Sequence, residues 1–228
     1  MNLLAVDTST TSCSVALFNG DRLLAETVYA AGKSHSRHLV SMIHAILETC
    51  GCDPADIGGI AVTRGPGTFT GLRIGISTVK GLAAATGAAV VGISSLAALA
   101  FPFSQLDSSV VAMIDARRGE VYHARYHGGS GSPVPATRPA VCTPESAAAA
   151  LPAGSILVGS GAVLYREVFE TRCPHIRFAD VTQHVIRAAS VGRLAMARFR
   201  RQAIDSTEAL IPEYVRQSDA QIQMSGSC

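Results

Sequence analysis

The strongest constraint on the fold is a repeat. Leu3-Leu4-Ala5-Val6-Asp7 is a short apolar run ending on a carboxylate, followed by a turn and a second apolar run over 13–18. Val110-Val111-Ala112-Met113-Ile114-Asp115 restates that pattern nearly half a chain later, again with a turn and a second run, over 120–126. Each unit reads as a strand, a turn and a returning strand. Two such units predict an α/β protein of two related, hairpin-led lobes, residues 1–105 and 106–228, with the last helix packing back on the first lobe; chance recurrence is the alternative.

The rest of the pattern fits that frame. Asn19-Gly20 is a two-residue hairpin signal, so 23–29 is a third strand. Leu39, Ile43, Ile46 and Leu47 recur at helical spacing and predict a helix over 34–50, stopped by Gly51. A strand over 59–63 leads through Gly65-Pro66-Gly67-Thr68-Phe69-Thr70-Gly71 into a helix that ends at Gly87. A strand at 90–93 and a short helix capped by Ser94 or Ser95 close the first lobe. In the second lobe, 127–139 reads as an irregular Gly/Ser/Pro loop. A short helix over 147–151, a strand at 156–158, one helix over 161–169 and a last helix over 185–202 follow, with 212–216 docked and the remaining tail frayed.

Composition excludes several classes. Forty-eight per cent of the 228 residues are apolar and 16% charged, which is a core-forming balance rather than that of a disordered chain. The formal net charge of +2 lacks the cation excess that phosphate backbones demand. No stretch approaches the ~20 uninterrupted apolar residues of a membrane span. The N-terminus lacks a basic leader, and the six cysteines form no C-x-x-C pair; reduced thiols in a cytoplasmic protein are expected.

Each candidate site has a plain structural alternative. Asp7, Thr8 and Ser9 sit where a phosphate-binding turn would lie, yet such turns usually carry glycine for close approach, and here hydroxyls stand instead. Their other role is to satisfy turn amides. In the second turn, Asp115 is followed by Arg117 and Arg118, whose side chains either fill a nucleotide's space or turn outward to a carboxylate. The glycine block is one residue off the dinucleotide fingerprint, and no P-loop or G-x-S-x-G is present. Gly71 and Gly75 share a helix face at a cost of roughly 0.8–1.0 kcal/mol each against alanine, which calls for a closely approaching neighbour, internal or from a partner. His35 and His38 share a face without a third metal ligand, and no metal site is expected. Arg193, Arg198, Arg200 and Arg201 are either a solvated helix face or a direct tRNA contact.

Taken together, Leu4-Ala5-Val6-Asp7-Thr8-Ser9-Thr10, His35-Ser36, Gly65 to Gly75, Ser94-Ser95-Leu96, Ile114-Asp115-Ala116-Arg117-Arg118-Gly119-Glu120-Val121-Tyr122, Gly159-Ser160-Gly161 and Pro212-Glu213-Tyr214-Val215-Arg216 resemble the bacterial TsaB (YeaZ) family. The resemblance covers nearly the whole chain. It implies an actin-like (ASKHA, ribonuclease H-like) two-lobed fold and a part in making N6-threonylcarbamoyladenosine in tRNA. It also implies a heterodimer with the TsaD transferase, joined by the TsaE ATPase, with tRNA reached mainly through the complex. Relatives of TsaD carry a metal-binding H-x-x-x-H where this chain has Gly92 to Leu99 and no histidine. The resemblance therefore implies a subunit with no catalytic residues or cofactor of its own, ATP or ADP belonging to a shared interface.

The expected partner face comprises Val40, Ile43 and Leu47 on the first helix with Gly71, Gly75, Val79 and Leu82 on the second. The same face would close a homodimer when TsaD is absent. On this reading Gly75→Leu weakens partner binding and leaves the fold intact. An actin-fold phosphotransferase or ATPase using Asp7 is the alternative.

Overall fold

A computed structural model describes residues 1–30 and 35–216, those at 35–37 by backbone alone. Strands β1 (Asn2–Asp7), β2 (Cys13–Asn19) and β3 (Arg22–Tyr29) form an antiparallel meander, and β4 (Ile57–Gly65) and β5 (Ala89–Ser94) extend it in parallel, in the order β3-β2-β1-β4-β5. The second sheet repeats the scheme. Strands β6 (Ser109–Arg117) and β7 (Glu120–His127) make the hairpin, and β10 (Ile156–Val158) and β11 (Arg177–Phe178) join in parallel beyond β6. Strands β8 (Val134–Pro135) and β9 (Ala140–Cys142) pair with β7. This is the actin-like architecture implied by the resemblance.

Alternate residues of each hairpin serve different cores. Leu4, Val6, Val15 and Leu17 face helices α1 (His35–Thr49) and α2 (Phe69–Thr86). Leu3, Ala5 and Phe18 face the opposite way, into a core shared with Val110, Ala112 and Ile114 of the second sheet. Helices α3 (Ser95–Ala100) and α7 (Ala188–Arg200) fill this middle layer. Beyond the second sheet, Val111, Met113 and Val121 pack with Ala147, Ala148 and Phe169 of α4 (Pro144–Ala149) and α6 (Arg166–Arg172). A strand buried on both faces has no room for alternating polar residues, which explains the unbroken apolar runs. Although α7 follows the second lobe in sequence, it lies on β1, β2, β4 and β5. Gly192 is the contact point, because a side chain there would overlap the Phe18 ring.

Local chemistry sets the helix ends. Thr68 caps α2, its hydroxyl accepting from the Gly71 amide, and Gly87 closes the helix in the left-handed conformation at φ 73°. Ser94 caps α3.

Several expectations need correction. Asn19 pairs with Arg22, so the first hairpin turns on Gly20 and Asp21 rather than on Asn19-Gly20; Gly20 takes the left-handed position at φ 55°. The helix over 161–169 is two, α5 (Ser160–Leu164) and α6, broken at Tyr165, whose backbone (φ −110°, ψ 26°) leaves the helical region. The break lets α6 bury Phe169. Within 127–139, Val134 and Pro135 pair with β7, and the amides of Gly128, Gly129 and Gly131 donate to the carbonyls of Ser108 and Ser104. The last helix is shorter than expected, because Arg187 stands outside it, ion-paired with Glu26. Ser34, the side chains of His35 and Ser36, and the tail beyond 216 lie outside the described residues.

Candidate functional site: the interlobe cleft

The two hairpin turns face each other across a cleft, and they are built in opposite ways. In the first, Asp7 is fully buried. Its Oδ1 accepts from the Ser9 amide (3.1 Å), the Ser9 hydroxyl (2.6 Å) and the Thr63 hydroxyl (2.6 Å), while Oδ2 has no hydrogen-bond partner. Burial disfavours the charged form and pushes this carboxyl up to about 6, against the lowering effect of its hydroxyl partners. Burial, with Asp7 adding to it, pushes the neighbouring Cys13 thiol up to about 12.

The rest of that turn is packed into α2. The Thr8 hydroxyl donates to the Gly71 carbonyl (2.7 Å), and the Thr68 amide donates to the Ser9 carbonyl (2.7 Å). A Cβ at Gly67 would overlap the Ser9 carbonyl, one at Gly71 the Thr8 carbonyl, and one at Gly75 the Thr8 hydroxyl. The three glycines form a trough for the chain's own first turn. Asp7, Thr8 and Ser9 are therefore buried and do not line the cleft, where the phosphate-facing expectation had placed them. The closely approaching neighbour of Gly71 and Gly75 is internal.

In the second turn, Arg117 (φ 62°), Arg118 (φ 56°) and Gly119 (φ 77°) are all left-handed. Two arginines in this region store strain of roughly 1–2 kcal/mol each. Asp115 opposes it: its Oδ1 accepts from the Arg117 amide (2.8 Å), and its Oδ2 lies 3.3 Å from the Arg117 guanidinium. Arg117 has thus found a carboxylate within its own turn. Asp115 and Arg117 line a cleft of about 560 Å³, opposite Thr68, Phe69 and Thr70 at the start of α2.

The mouth of the cleft carries residues to which sequence reasoning assigned no role. Phe69 and Tyr214 stack with ring centroids 5.6 Å apart, Arg73 lies 3.8 Å over the Phe69 ring, and its Nε donates to the Tyr214 hydroxyl (3.3 Å). Arg216 donates to the Ala116 carbonyl (3.2 Å) and ion-pairs with Glu120. The 212–216 motif was legible as a docked segment; what it docks on was not.

The expected partner face divides. Ile43 and Leu47 (each 5% exposed) and Val79 (0%) belong to the core between the helices and the first sheet, which corrects their assignment. An apolar stripe at helical spacing marks the face turned to the protein's own core. Val40 is 63% exposed and Leu82 is half-buried. The basic helix divides as well. Arg198 is held by Asp205 (2.9 Å) and the Gly92 carbonyl, and Arg200 pairs with Asp21, so these two have internal structural partners.

Among the described residues no group of three or more His, Cys, Asp or Glu is placed to hold a metal ion. His123 Nε2 lies 3.3 Å from the Cys142 sulfur, but burial pushes the thiol up and the imidazole down. That is a neutral pair, not an activated thiolate.

Residues 28–224 match the family described as "TsaD: tRNA N6-adenosine threonylcarbamoyltransferase". The chain is 41% identical over 128 residues to the tRNA threonylcarbamoyladenosine biosynthesis protein TsaB of Escherichia coli, and 36% identical over 131 residues to that of Bacillus subtilis. These alignments cover 55% and 58% of this chain and span little more than half of each relative, 55% and 57%. The solved structure of YeaZ from Pseudomonas aeruginosa superposes with a TM-score of 0.81 at 34% identity, over 93% of this chain and 99% of that one.

Proposed function

The chain belongs to the TsaB (YeaZ) family, and from that membership we propose that it is a scaffold subunit in the synthesis of N6-threonylcarbamoyladenosine in tRNA. It supplies contact surface to a TsaD-type transferase, with a TsaE-type ATPase completing the assembly and tRNA held mainly by the complex. The observation that carries the non-catalytic part of this reading is the filling of the first turn. In an actin-fold phosphotransferase, a carboxylate after the first strand must reach the phosphates of its ligand. Here that carboxyl is Asp7, buried, bonded to Ser9 and Thr63, and covered by the turn that α2 receives. Any ATP or ADP used by the complex then belongs at a surface shared with the partners.

The docking face is the outer side of α1 and α2. Val40 is exposed there, Leu82 is half-exposed, and Gly81 stands in open space where a partner's side chains can approach the backbone. The same face closes a homodimer when the transferase is absent.

The test is reconstitution of the tRNA modification from purified components, with and without this chain. Modification is expected to fall to background without it and to persist when Asp7→Asn replaces the natural chain. Full modification in its absence, or ATP hydrolysis by the isolated chain that Asp7→Asn abolishes, overturns the proposal.

A further inference from the structure

Behind the cleft the two lobes share one core. Across its mouth they are joined by the segment that follows α7. This segment first covers the β5 edge: the Asp205 amide donates to the Val90 carbonyl (2.9 Å), and the Asp205 carboxylate accepts from the Gly92 amide (2.8 Å). Leu210 then plugs into the first-lobe core, fully buried. From there the chain runs over the end of β4. The Glu213 amide donates to the Arg64 carbonyl (2.6 Å), and the Glu213 carboxylate lies 3.4 Å from the Arg64 guanidinium. A side chain at Gly65 would overlap the Glu213 carbonyl, so the fit of the segment on β4 is close.

Tyr214 stacks on Phe69 and takes the hydrogen bond from Arg73, all still on the first lobe. Two residues later the chain grips the second lobe. Arg216 donates to the Ala116 carbonyl and pairs with Glu120, on either side of the left-handed turn at 117–119. Five residues thus bind the end of β4 and the start of α2 on one side and the β6–β7 turn on the other.

We propose that residues 212–216 form a clasp that sets the width of the interlobe cleft, and that releasing it opens the cleft. Its placement suits that task. It crosses the mouth, far from the shared core, so a small contact there acts against the whole rotation of one lobe on the other. Its grip is also detachable. Arg216 and Glu120 are partly exposed, with side-chain exposures of 21% and 34%, and Tyr214 is 44% exposed, whereas Leu210 upstream is fully buried and stays anchored. The same contact holds Ala116 and Glu120 in place, next to the strained Arg117 and Arg118. Clasp and strained turn are therefore coupled: when Arg216 leaves, the turn loses the contacts that flank it.

The test is amide hydrogen exchange on the isolated full-length chain, which involves no partner and so stands or falls separately from the scaffold reading. Tyr214→Ala and Arg216→Ala are each expected to speed exchange about tenfold at 117–120 and 67–70, and to leave the buried strand at 3–6 unchanged. Arg216→Glu is expected to act at least as strongly. Adding Glu120→Arg to it should recover part of the loss, because the pair re-forms with its charges reversed while the bond to Ala116 does not. Unchanged exchange at 117–120 in both alanine variants overturns the proposal. So does a reversed pair that exchanges no more slowly than Arg216→Glu alone. Collapse of the whole protection pattern in the alanine variants overturns it too, since the segment would then be core and not a clasp.

Discussion

The turns after β1 and β6 hold the same place in two copies of one topology, and they have diverged in opposite directions. The first has withdrawn Asp7, Thr8 and Ser9 from the cleft, which it lines instead with Thr10, Thr11 and Ser12. Its carboxyl is buried and its pKa raised by that burial, its hydroxyls are spent on hydrogen bonds, and three glycines on the facing segment draw the backbone in. The second keeps its access but carries cations in a strained backbone, with Asp115 and Arg216 securing it. A phosphate site in this fold needs an accessible first turn and a second turn small enough to admit the ligand. On the proposed scaffold reading, each lobe departs from its own half of that requirement by a different route.

Four experiments sharpen or break this contrast. The largest expected effect is at the trough. Gly75→Leu, which the sequence reading treats as an interface probe, is expected to cost about 3 kcal/mol or more of folding stability, because its side chain must displace Thr8 and Val62. Urea unfolding measures it, and an unperturbed midpoint would show that the first turn is not seated as described.

Next is the titration of Asp7. Its pKa is raised from 3.8 to about 6 on folding, so the native state favours the protonated carboxyl. The resulting stabilisation is present below about pH 4 and is lost as pH rises through about 6, a total of about 3 kcal/mol at 1.36 kcal/mol per pKa unit. Unfolding midpoints from pH 4 to pH 8 should show that fall in the natural chain and a flatter profile in Asp7→Asn. Equal slopes would place Asp7 in a solvated setting and remove the difference between the two turns.

In the second turn, Arg117→Gly relieves a left-handed side-chain residue and gives up a largely exposed ion pair with Asp115. A net gain of about 1 kcal/mol in stability is expected. A loss by the same assay would mean that the ion pair outweighs the strain.

The smallest effect on stability belongs to Val40→Asp on the outer face of α1. The fold should change by less than about 0.5 kcal/mol, while titration calorimetry against the cognate transferase should show at least tenfold weaker binding. Unchanged affinity moves the docking surface elsewhere.

What could be read in advance followed the range of the signal. The repeated Asp-ended runs revealed the two hairpins, and the Gly87 signal ended α2, because turns and caps depend on residues a few positions apart; that Thr68 caps the start of α2 came from the structure. Strands β8, β9 and β11 were not foreseen, since each is only two or three residues long and lacks the unbroken Ile-Leu-Val run that marked 156–158. The break at Tyr165 has no proline or glycine to announce it. At the candidate site, helical spacing correctly grouped Leu39, Ile43, Ile46 and Leu47 on one face of α1 but could not distinguish a face turned to the protein's own core from one awaiting a partner, so Ile43, Leu47 and Val79 were assigned outward. Both are apolar, and burial is blind to whose surface does the covering.

The amino-acid order alone thus determined the longer secondary elements, the two hairpins and the need for something to lie close against Gly71 and Gly75. Only the tertiary structure decided what that something is, where Asp7 points and which lobe Arg216 holds. Propensity, capping and periodicity act between neighbours in the chain. The contacts that define this cleft join residue 8 to 71, 64 to 213 and 120 to 216. Such pairs exist only once three apolar layers have packed and fixed the distances between elements that carry no local record of one another.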